Sequence, residues 1–168
     1  YRKGRLTTYK KFCLFLRPKG EIKIEDSDYQ VKESLTALSR GGFMGTGMAR
    51  GRAKHYYLPE ARTDYIYTVI GEEWGFIGAL IVFGLHCFLF FRCFRMANSQ
   101  ENRFLRFLGV GLAMNIFCNV LVNTGVAMSI LPPTGNTLPF ISYGGSALLI
   151  DSIAVGILLN ISAQRRYV

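Results

Sequence analysis

The sequence predicts an all-α polytopic membrane protein, in which a large extracytoplasmic loop precedes three transmembrane helices. Three apolar segments, nearly free of charged side chains, follow one another after residue 73. Each reaches or approaches the roughly 20 apolar residues that a helix needs to cross a bilayer. Basic side chains lie mostly ahead of these segments. We therefore predict a loop region at residues 1–73 and a membrane region at residues 74–168.

The basic loop region indicates a polyanionic partner. Of the 20 Lys and Arg side chains, 14 lie in residues 1–62, against 6 of the 11 acidic ones. Such an excess attracts nucleic acid, anionic lipid headgroups or a phosphorylated substrate. Because membrane spans follow, nucleic acid is disfavoured as the partner. Within this region we predict a short amphipathic helix from Val31 to Ser39 and, because of its glycines, irregular turns from Gly41 to Arg52.

The three spans are predicted at about residues 74–95, 105–128 and 139–163, and the first is open to extension back to Tyr65. Their orientation follows from the arginines, which concentrate in cytoplasmic loops. These arginines flank the connection between the first two spans and follow the third: Arg92, Arg95, Arg103, Arg106, Arg165 and Arg166. The positive-inside rule then places residues 1–73 and the Pro-rich loop at 129–140 on the outer face.

Polar residues inside the spans form a second pattern. Asn115, Asn119 and Asn123 recur every four residues and so share one helix face. Such a seam either packs helices together or lines a groove for the substrate, and we favour packing. Asp151 is costly in a membrane unless it is paired or protonated, which raises a functional hypothesis for it. No function is predicted for His55 or His86.

Asp64 is the main candidate for chemistry. It lies at the mouth of the first span, directly after a segment dense in positive charge. A carboxylate next to basic side chains at a water–lipid boundary suits an enzyme that processes an anionic substrate linked to a lipid. A carboxylate at a helix start is also common as a capping residue, and this second interpretation stays open. The four cysteines have neither zinc-site nor disulfide-framework spacing, so no metal site is predicted.

Three blocks of the chain resemble one family of membrane proteins. They are SRGGFMGTGMARGRAKHYYLPE, TDYIYTVIGEEWGFIG and LPPTGNTLPFISYGGSALL, in this order between Ser39 and Leu149. They are similar to the SEDS family, which includes FtsW, RodA and SpoVE, and are closer to FtsW and SpoVE. The resemblance implies that this is a C-terminal piece of a ten-helix bundle in the bacterial inner membrane. It further implies a peptidoglycan glycosyltransferase that polymerises lipid II into glycan strands during cell division, together with a class B penicillin-binding protein and other division proteins.

The resemblance also implies roles for individual residues. Asp64 matches the family's catalytic aspartate and is assigned as the general base, while a cationic segment would stabilise the departing pyrophosphate. Glu72 is expected about 12 Å along a helix from Asp64, beyond the roughly 5–9.5 Å of paired glycosidase carboxyls, so a single base is favoured. The residues predicted to bind substrate are Arg50, Arg52, Lys54, Arg62, Glu72, Ser142, Gly144 and Gly145.

Two positions depart from the family pattern. Arg62 stands where the family usually has histidine, and Thr134 stands where FtsW members often have lysine. No cofactor held by the protein is expected, and a divalent cation, Mg²⁺ or Mn²⁺, travelling with the substrate pyrophosphate stays open. Two other functions also remain open: a lipid II flippase or transporter, and a non-enzymatic scaffold for division proteins.

Overall fold

The computed structural model describes residues 29–47 and 63–164. All regular structure in these ranges is helical: α1 (Tyr29–Gly41), α2 (Ile66–Asn98), α3 (Arg103–Ala127) and α4 (Gly145–Gln164). By length and composition, the last three are long and apolar enough to cross a membrane. The prediction of an all-α membrane protein with three spans is thereby confirmed, and α1 contains the predicted amphipathic helix.

The helix boundaries differ from the predicted ones at two places. Helix α2 begins at Ile66 and not near residue 74, which is the extension back toward Tyr65 that the sequence left open. Tyr67 and Val69 pack in the interior although two glutamates follow them. Helix α4 begins at Gly145 rather than near residue 139. Pro139 lacks a backbone N–H, and Phe140 has a φ of 64°, which a right-handed helix does not allow. The other helix ends lie within three residues of the prediction.

Helices α2 and α3 form an antiparallel hairpin around a short connection. The side chain of Asn102 caps α3 by accepting a hydrogen bond of 2.9 Å from the backbone N–H of Phe104. Phe90 and Phe117 stack across the hairpin with ring centroids 4.4 Å apart. Near the opposite end, Tyr67 packs in one cluster with the last residue of α3, Ala127. The start of α2 and the end of α3 therefore lie side by side.

Helix α4 returns along α3 and closes the arrangement. Ala154 and Leu158 of α4 form a buried cluster with Ile116 of α3. At the connection between α2 and α3, Gln100 donates a hydrogen bond of 2.9 Å from Nε2 to the carbonyl oxygen of Ile161. The end of α4 thus lies beside this connection, and its start lies at the same end of the bundle as the start of α2. Asp151 is buried on the face of α4 that carries Ala154 and Leu158.

Helix α1 crosses the end of the bundle where α2 starts. Its Ser34 hydroxyl lies 2.7 Å from Thr68 Oγ1 and donates a hydrogen bond of 3.0 Å to the carbonyl oxygen of Ala127. Ala37 of α1 packs in a buried cluster with Val126. One element of the loop region therefore joins α2 and α3 at the end where Asp64 lies.

Helix α2 is broken at Gly75, and the segment after α1 fills the break. Gly75 has φ 70° and ψ −167°, a backbone conformation that is essentially restricted to glycine. Residues 42–47 lie against the break and satisfy backbone groups there. The backbone N–H of Thr46 donates to the carbonyl oxygen of Glu72 at 2.9 Å, and that of Phe76 donates to the carbonyl oxygen of Gly42 at 2.9 Å. This glycine-rich segment is thus irregular, as predicted, over the part that the structure describes.

Large apolar side chains cover the outer surfaces of the three long helices. Only 22% of each apolar window is buried within the described chain. Because such extensive apolar exposure is incompatible with water, these surfaces suit contact with lipid or with further membrane helices. On α2 the exposed side chains include Trp74, Phe76, Ile77, Leu80, Leu85 and Phe88.

Candidate functional site

Asp64 lies in a turn directly before α2, at the end of the bundle where α1, α2, α3 and α4 come together. Its residue is partly buried, and the following Tyr65 is only 2% exposed. Tyr65 occupies the N-cap position of α2 and makes no side-chain capping hydrogen bond. The N-cap is therefore not Asp64. The tyrosine ring packs with Ala37 and Val126, which anchors the turn to α1 and α3.

Asn123 of α3 holds the backbone of this turn. Its Nδ2 donates to the carbonyl oxygen of Asp64 at 2.9 Å and to that of Asn136 at 2.7 Å. Because both partners are carbonyl oxygens, the amide group must present its two N–H bonds to them. Asn123 is 1% exposed, so these contacts are shielded from water. One buried side chain thus joins the turn at Asp64 to the loop between α3 and α4.

Ser142 holds the neighbouring peptide group. Its hydroxyl donates to the carbonyl oxygen of Thr63 at 2.6 Å and accepts from the backbone N–H of Leu138 at 2.7 Å. Leu138 is itself buried in the cluster that contains Tyr67 and Ala127. The loop before α4 is therefore fastened both to the protein interior and to the residue that precedes Asp64.

The Pro-rich loop, predicted at residues 129–140, extends to residue 144 in the structure and forms the wall next to the Asp64 carboxylate. A Cβ atom built at Gly135, where φ is 80°, would lie 3.5 Å from Asp64 Oδ2. Farther along the loop, the carbonyl oxygen of Pro139 lies 3.2 Å from His86 Nε2, while Nδ1 of the same ring lies 2.8 Å from the carbonyl oxygen of Val82. A neutral imidazole has one N–H and can donate to only one of these carbonyls at a time. His86 thus connects α2 to the loop.

Apart from Ser142, described above, the predicted substrate-binding residues fall into three groups. Gly144 and Gly145 stand at the start of α4, on the same end of the bundle as Asp64, and a Cβ atom built at Gly145 would meet open space. Glu72 is 1% exposed and lies within α2, with the backbone of Gly41 packed against it. The basic residues Arg50, Arg52, Lys54 and Arg62 lie outside the described residues. The structure thus places the Ser142 hydroxyl against the residue before Asp64 and the Gly144–Gly145 pair at the same end of the bundle, and their roles toward substrate stay predictions.

Asn123 belongs to the polar stripe of Asn115, Asn119 and Asn123 on α3. The sequence predicted this stripe but did not distinguish Asn123 from the other two. Its predecessors on the helix face make a different contact, since Asn119 Nδ2 lies 3.4 Å from Asn115 Oδ1. Asn115 is exposed and Asn119 is partly exposed. Only Asn123 of the three is buried among backbone carbonyls from other segments. Spacing revealed the shared face, but the neighbours that distinguish Asn123 come from segments distant in sequence.

The acidic side chains of Glu72 and Glu73 lie about two turns after the start of α2 and are also enclosed. Glu73 Oε1 is buried and has no hydrogen-bond partner among the described residues.

In residues 29–47 and 63–164, no group of three or more His, Cys, Asp or Glu side chains has the arrangement of a metal site. A cavity of about 350 Å³ lies at the opposite end of the bundle from Asp64, and its lining residues are Arg92, Cys93, Arg95, Met96, Leu159 and Ser162.

Comparison with known proteins gives consistent matches over most of the chain. The family of cell cycle proteins that comprises FtsW, RodA and SpoVE matches residues 4–167. A protein of Trichlorobacter lovleyi named probable peptidoglycan glycosyltransferase FtsW is 47% identical over 80% of this chain and 35% of its own length. The equally named protein of Geobacter sp. strain M18 is 44% identical over 84% of this chain and 38% of its own length. Stage V sporulation protein E of Bacillus subtilis is 42% identical over 84% of this chain and 38% of its own length.

A solved structure supports the same grouping. The chain is similar to one chain of a peptidoglycan synthase complex that was described for its structural coordination of polymerization and crosslinking, with a TM-score of 0.64 and 30% identity. The match covers 80% of this chain and 37% of that one. The chain thus spans well under half of the length of each of these proteins.

Proposed function

Because the chain belongs to the FtsW/RodA/SpoVE family of cell cycle proteins, we propose that its protein is a peptidoglycan glycosyltransferase with Asp64 as general base. The protein polymerises lipid II into glycan strands during cell division. The proposal rests on one observation above all: the Asp64 turn is held by side chains from two other segments, at the end of the bundle where three helix termini meet.

The reaction explains why a single carboxylate suffices. A sugar hydroxyl of one substrate attacks the anomeric carbon of another, a new glycosidic bond forms, and the bond to the lipid pyrophosphate breaks. A carboxylate within hydrogen-bond reach of that hydroxyl takes its proton as the bond forms. Asp64, in a turn rather than within a helix, lies where a substrate could approach from outside the bundle. The leaving pyrophosphate takes the electron pair of the broken bond and must be stabilised as an anion.

Two features suit the leaving anion, one at the same end of the bundle as Asp64 and one directly before it in sequence. Helix α4 begins at Gly145, and the backbone N–H groups in the first turn of a helix have no acceptor within that helix and carry a partial positive charge. Residues 48–62, which directly precede the turn in sequence, carry Arg50, Arg52, Lys54 and Arg62. We assign these groups, with Mg²⁺ or Mn²⁺ when the substrate carries one, to binding the pyrophosphate.

The surroundings of the site follow from the same proposal. The three apolar helices make this a multi-pass membrane protein, and we place the Asp64 end on the extracytoplasmic face of the bacterial inner membrane. We assign a class B penicillin-binding protein as partner, since the similar solved chain comes from a complex that joins polymerization to crosslinking. Other division proteins would recruit this pair to the septum.

The test is the replacement Asp64→Asn in the full-length protein, purified with its partner and assayed with fluorescent lipid II. Asparagine preserves the shape of the side chain and cannot take the proton, so we expect polymer formation to fall at least ~10²-fold. Glu101→Gln is the matched control, because Glu101 is an exposed carboxylate at the other end of the bundle. Its polymer yield should stay normal.

The outcomes separate the competing functions. Normal polymerisation by a folded Asp64→Asn protein would remove Asp64 from the mechanism. No polymer from the unmodified complex, combined with transfer of lipid II across a vesicle membrane, would indicate a flippase. Neither activity, with partner binding intact, would indicate a scaffold.

A further inference from the structure

We propose that Asn123 and Ser142 are positioning residues that together fix the backbone at Asp64, and with it the direction in which its side chain leaves the main chain. This inference rests on the proposed role of Asp64 as the base and adds two residues that act through it. Neither side chain needs to touch the substrate for this purpose. The observation behind it is that two consecutive carbonyl groups, those of Thr63 and Asp64, are each hydrogen-bonded by a side chain from elsewhere in the fold.

The geometry of the backbone gives these two bonds their significance. A peptide group is planar, so the main chain around one residue has only two freely rotating dihedral angles. The plane that contains the Thr63 carbonyl lies on one side of the Asp64 Cα, and the plane that contains the Asp64 carbonyl lies on the other. Holding both planes fixes both dihedral angles of Asp64, and with them the direction of its Cα–Cβ bond.

The Asn123 contact is well suited to hold one plane. Both amide hydrogens are used, at 2.9 Å to Asp64 and 2.7 Å to Asn136, so the side chain cannot rotate without losing two hydrogen bonds. Asn123 is 1% exposed, so the loss of a partner would leave a polar group buried and unpaired. It projects from α3, one of the long helices, which makes it a rigid support.

The hydrogen bond from Ser142 to the Thr63 carbonyl holds the other peptide plane and connects it to the Pro-rich loop. Its hydroxyl can donate one hydrogen bond and accept others, and it does both, with Thr63 as acceptor and Leu138 as donor. Asn123 reaches the same loop through Asn136. The turn and the Pro-rich loop are therefore held as one unit. A displacement of either would move the carboxylate, and a shift of about 1 Å in a reacting group can cost ~10²-fold in rate.

The test compares variants of the full-length protein in complex with its partner, in steady-state polymerisation of fluorescent lipid II. Ser142→Ala removes the hydroxyl and Asn123→Leu removes both donors at similar volume. Each should lower kcat by roughly 10- to 100-fold while KM changes little, because the substrate contacts are intact. Ser142→Thr retains a hydroxyl at the same position and should restore most of the rate lost in Ser142→Ala.

Asn119→Leu is the matched control. It makes the same substitution one helical turn earlier, at a residue whose described side-chain contact is with Asn115 alone, and kcat should stay near normal. Thermal unfolding and lipid II binding are measured for every variant, so that loss of fold is recognised.

Several results would overturn the inference. A folded Ser142→Ala protein with normal kcat would do so, and so would an equal loss of rate in Ser142→Thr. A rise in KM at constant kcat would show that Ser142 binds substrate instead. If Asn123→Leu does not fold, the two serine variants still decide. Normal polymerisation by Asp64→Asn identifies a different failure, that of the proposed base, on which this inference rests.

Discussion

Individual buried polar groups join the segments around Asp64. Ser34, which is fully buried, contacts Thr68 on α2 and donates to the last carbonyl of α3. Asn123 and Ser142 make similar contacts to the turn and the loop. Ser34 and Asn123 are shielded from water, which leaves few alternative partners, so each bond specifies which segments lie together. At the scale of single residues, hydrogen bonds as well as apolar packing hold together the end of the bundle where Asp64 lies.

Ser34→Ala should lower the stability of the full-length protein in detergent. The substitution leaves the carbonyl oxygen of Ala127 and the hydroxyl of Thr68 without this partner, which costs about 1–3 kcal/mol. Thr36→Ala, two residues away, removes an exposed hydroxyl that bonds only within its own helix, to Lys32, and should change stability by less than about 0.5 kcal/mol. Unfolding followed by temperature or denaturant compares the two, and equal midpoints would contradict the role of Ser34.

The broken helix α2 and residues 42–47 act as one structural element. The break at Gly75 leaves backbone groups without their usual partners in the helix, and Gly42, Phe43, Thr46 and other residues of the segment take their place. The glycines permit this close approach, since a Cβ atom at Gly75 would collide with the backbone of Phe43. The segment connects α1 to α2 and leads into the basic residues before Asp64.

Gly75→Ala should therefore be strongly destabilising. Its backbone conformation costs any other residue ~1–3 kcal/mol, and the added methyl group must also push residues 42–47 away. Gly84→Ala is the control on the same helix, because a Cβ atom there meets nothing within 4 Å. A helical glycine replaced by alanine is neutral or stabilises by up to about 1 kcal/mol. Unfolding of full-length protein is the measurement, and a tolerated Gly75→Ala would argue against the docked segment.

At the scale of the whole molecule, the two ends of the bundle differ in chemistry. One end holds Asp64, the Pro-rich loop and α1. The other holds the connection from Ser99 to Asn102 and the end of α4, where the arginines are Arg92, Arg95, Arg103 and Arg106. Arg106 bonds Asn98 across the start of the connection. From the positive-inside rule we predict that the arginine-rich end faces the cytoplasm and that the Asp64 end faces outward.

Cysteine labelling in intact cells tests this orientation. After the native cysteines are replaced, Thr134→Cys on the exposed Pro-rich loop should react with a membrane-impermeant thiol reagent, because Thr134 would lie outside the cell. Ser99→Cys, also exposed but at the opposite end, should react only after the membrane is permeabilised. Labelling of Ser99→Cys in intact cells would reverse the orientation and place Asp64 in the cytoplasm.

The sequence by itself determined the membrane class, the three spans and the candidate aspartate. Long apolar segments can satisfy their backbone in lipid only as helices, so composition and length sufficed to predict the spans. The motifs from Ser39 to Leu149 were enough to identify the family resemblance, which the comparisons confirmed. Asp64 was the candidate because it lies at a span entrance directly after a segment dense in positive charge, and because it matches the catalytic aspartate of the family that the chain resembles.

Only the tertiary structure decided between the two possible starts of α2, placed the start of α4, and showed which polar residues meet at the Asp64 turn. The start of α2 at Ile66 depends on packing of Tyr67 and Val69 against other segments, and local hydropathy does not record such contacts. From the sequence alone, Asn123 cannot be distinguished from Asn115 and Asn119, because residue spacing shows only that the three side chains share one helix face. Its partners are 59 and 13 residues away in sequence. Hydrogen bonds over such separations form only once the helices are packed, which is why the fold, and no local pattern, singled out Asn123.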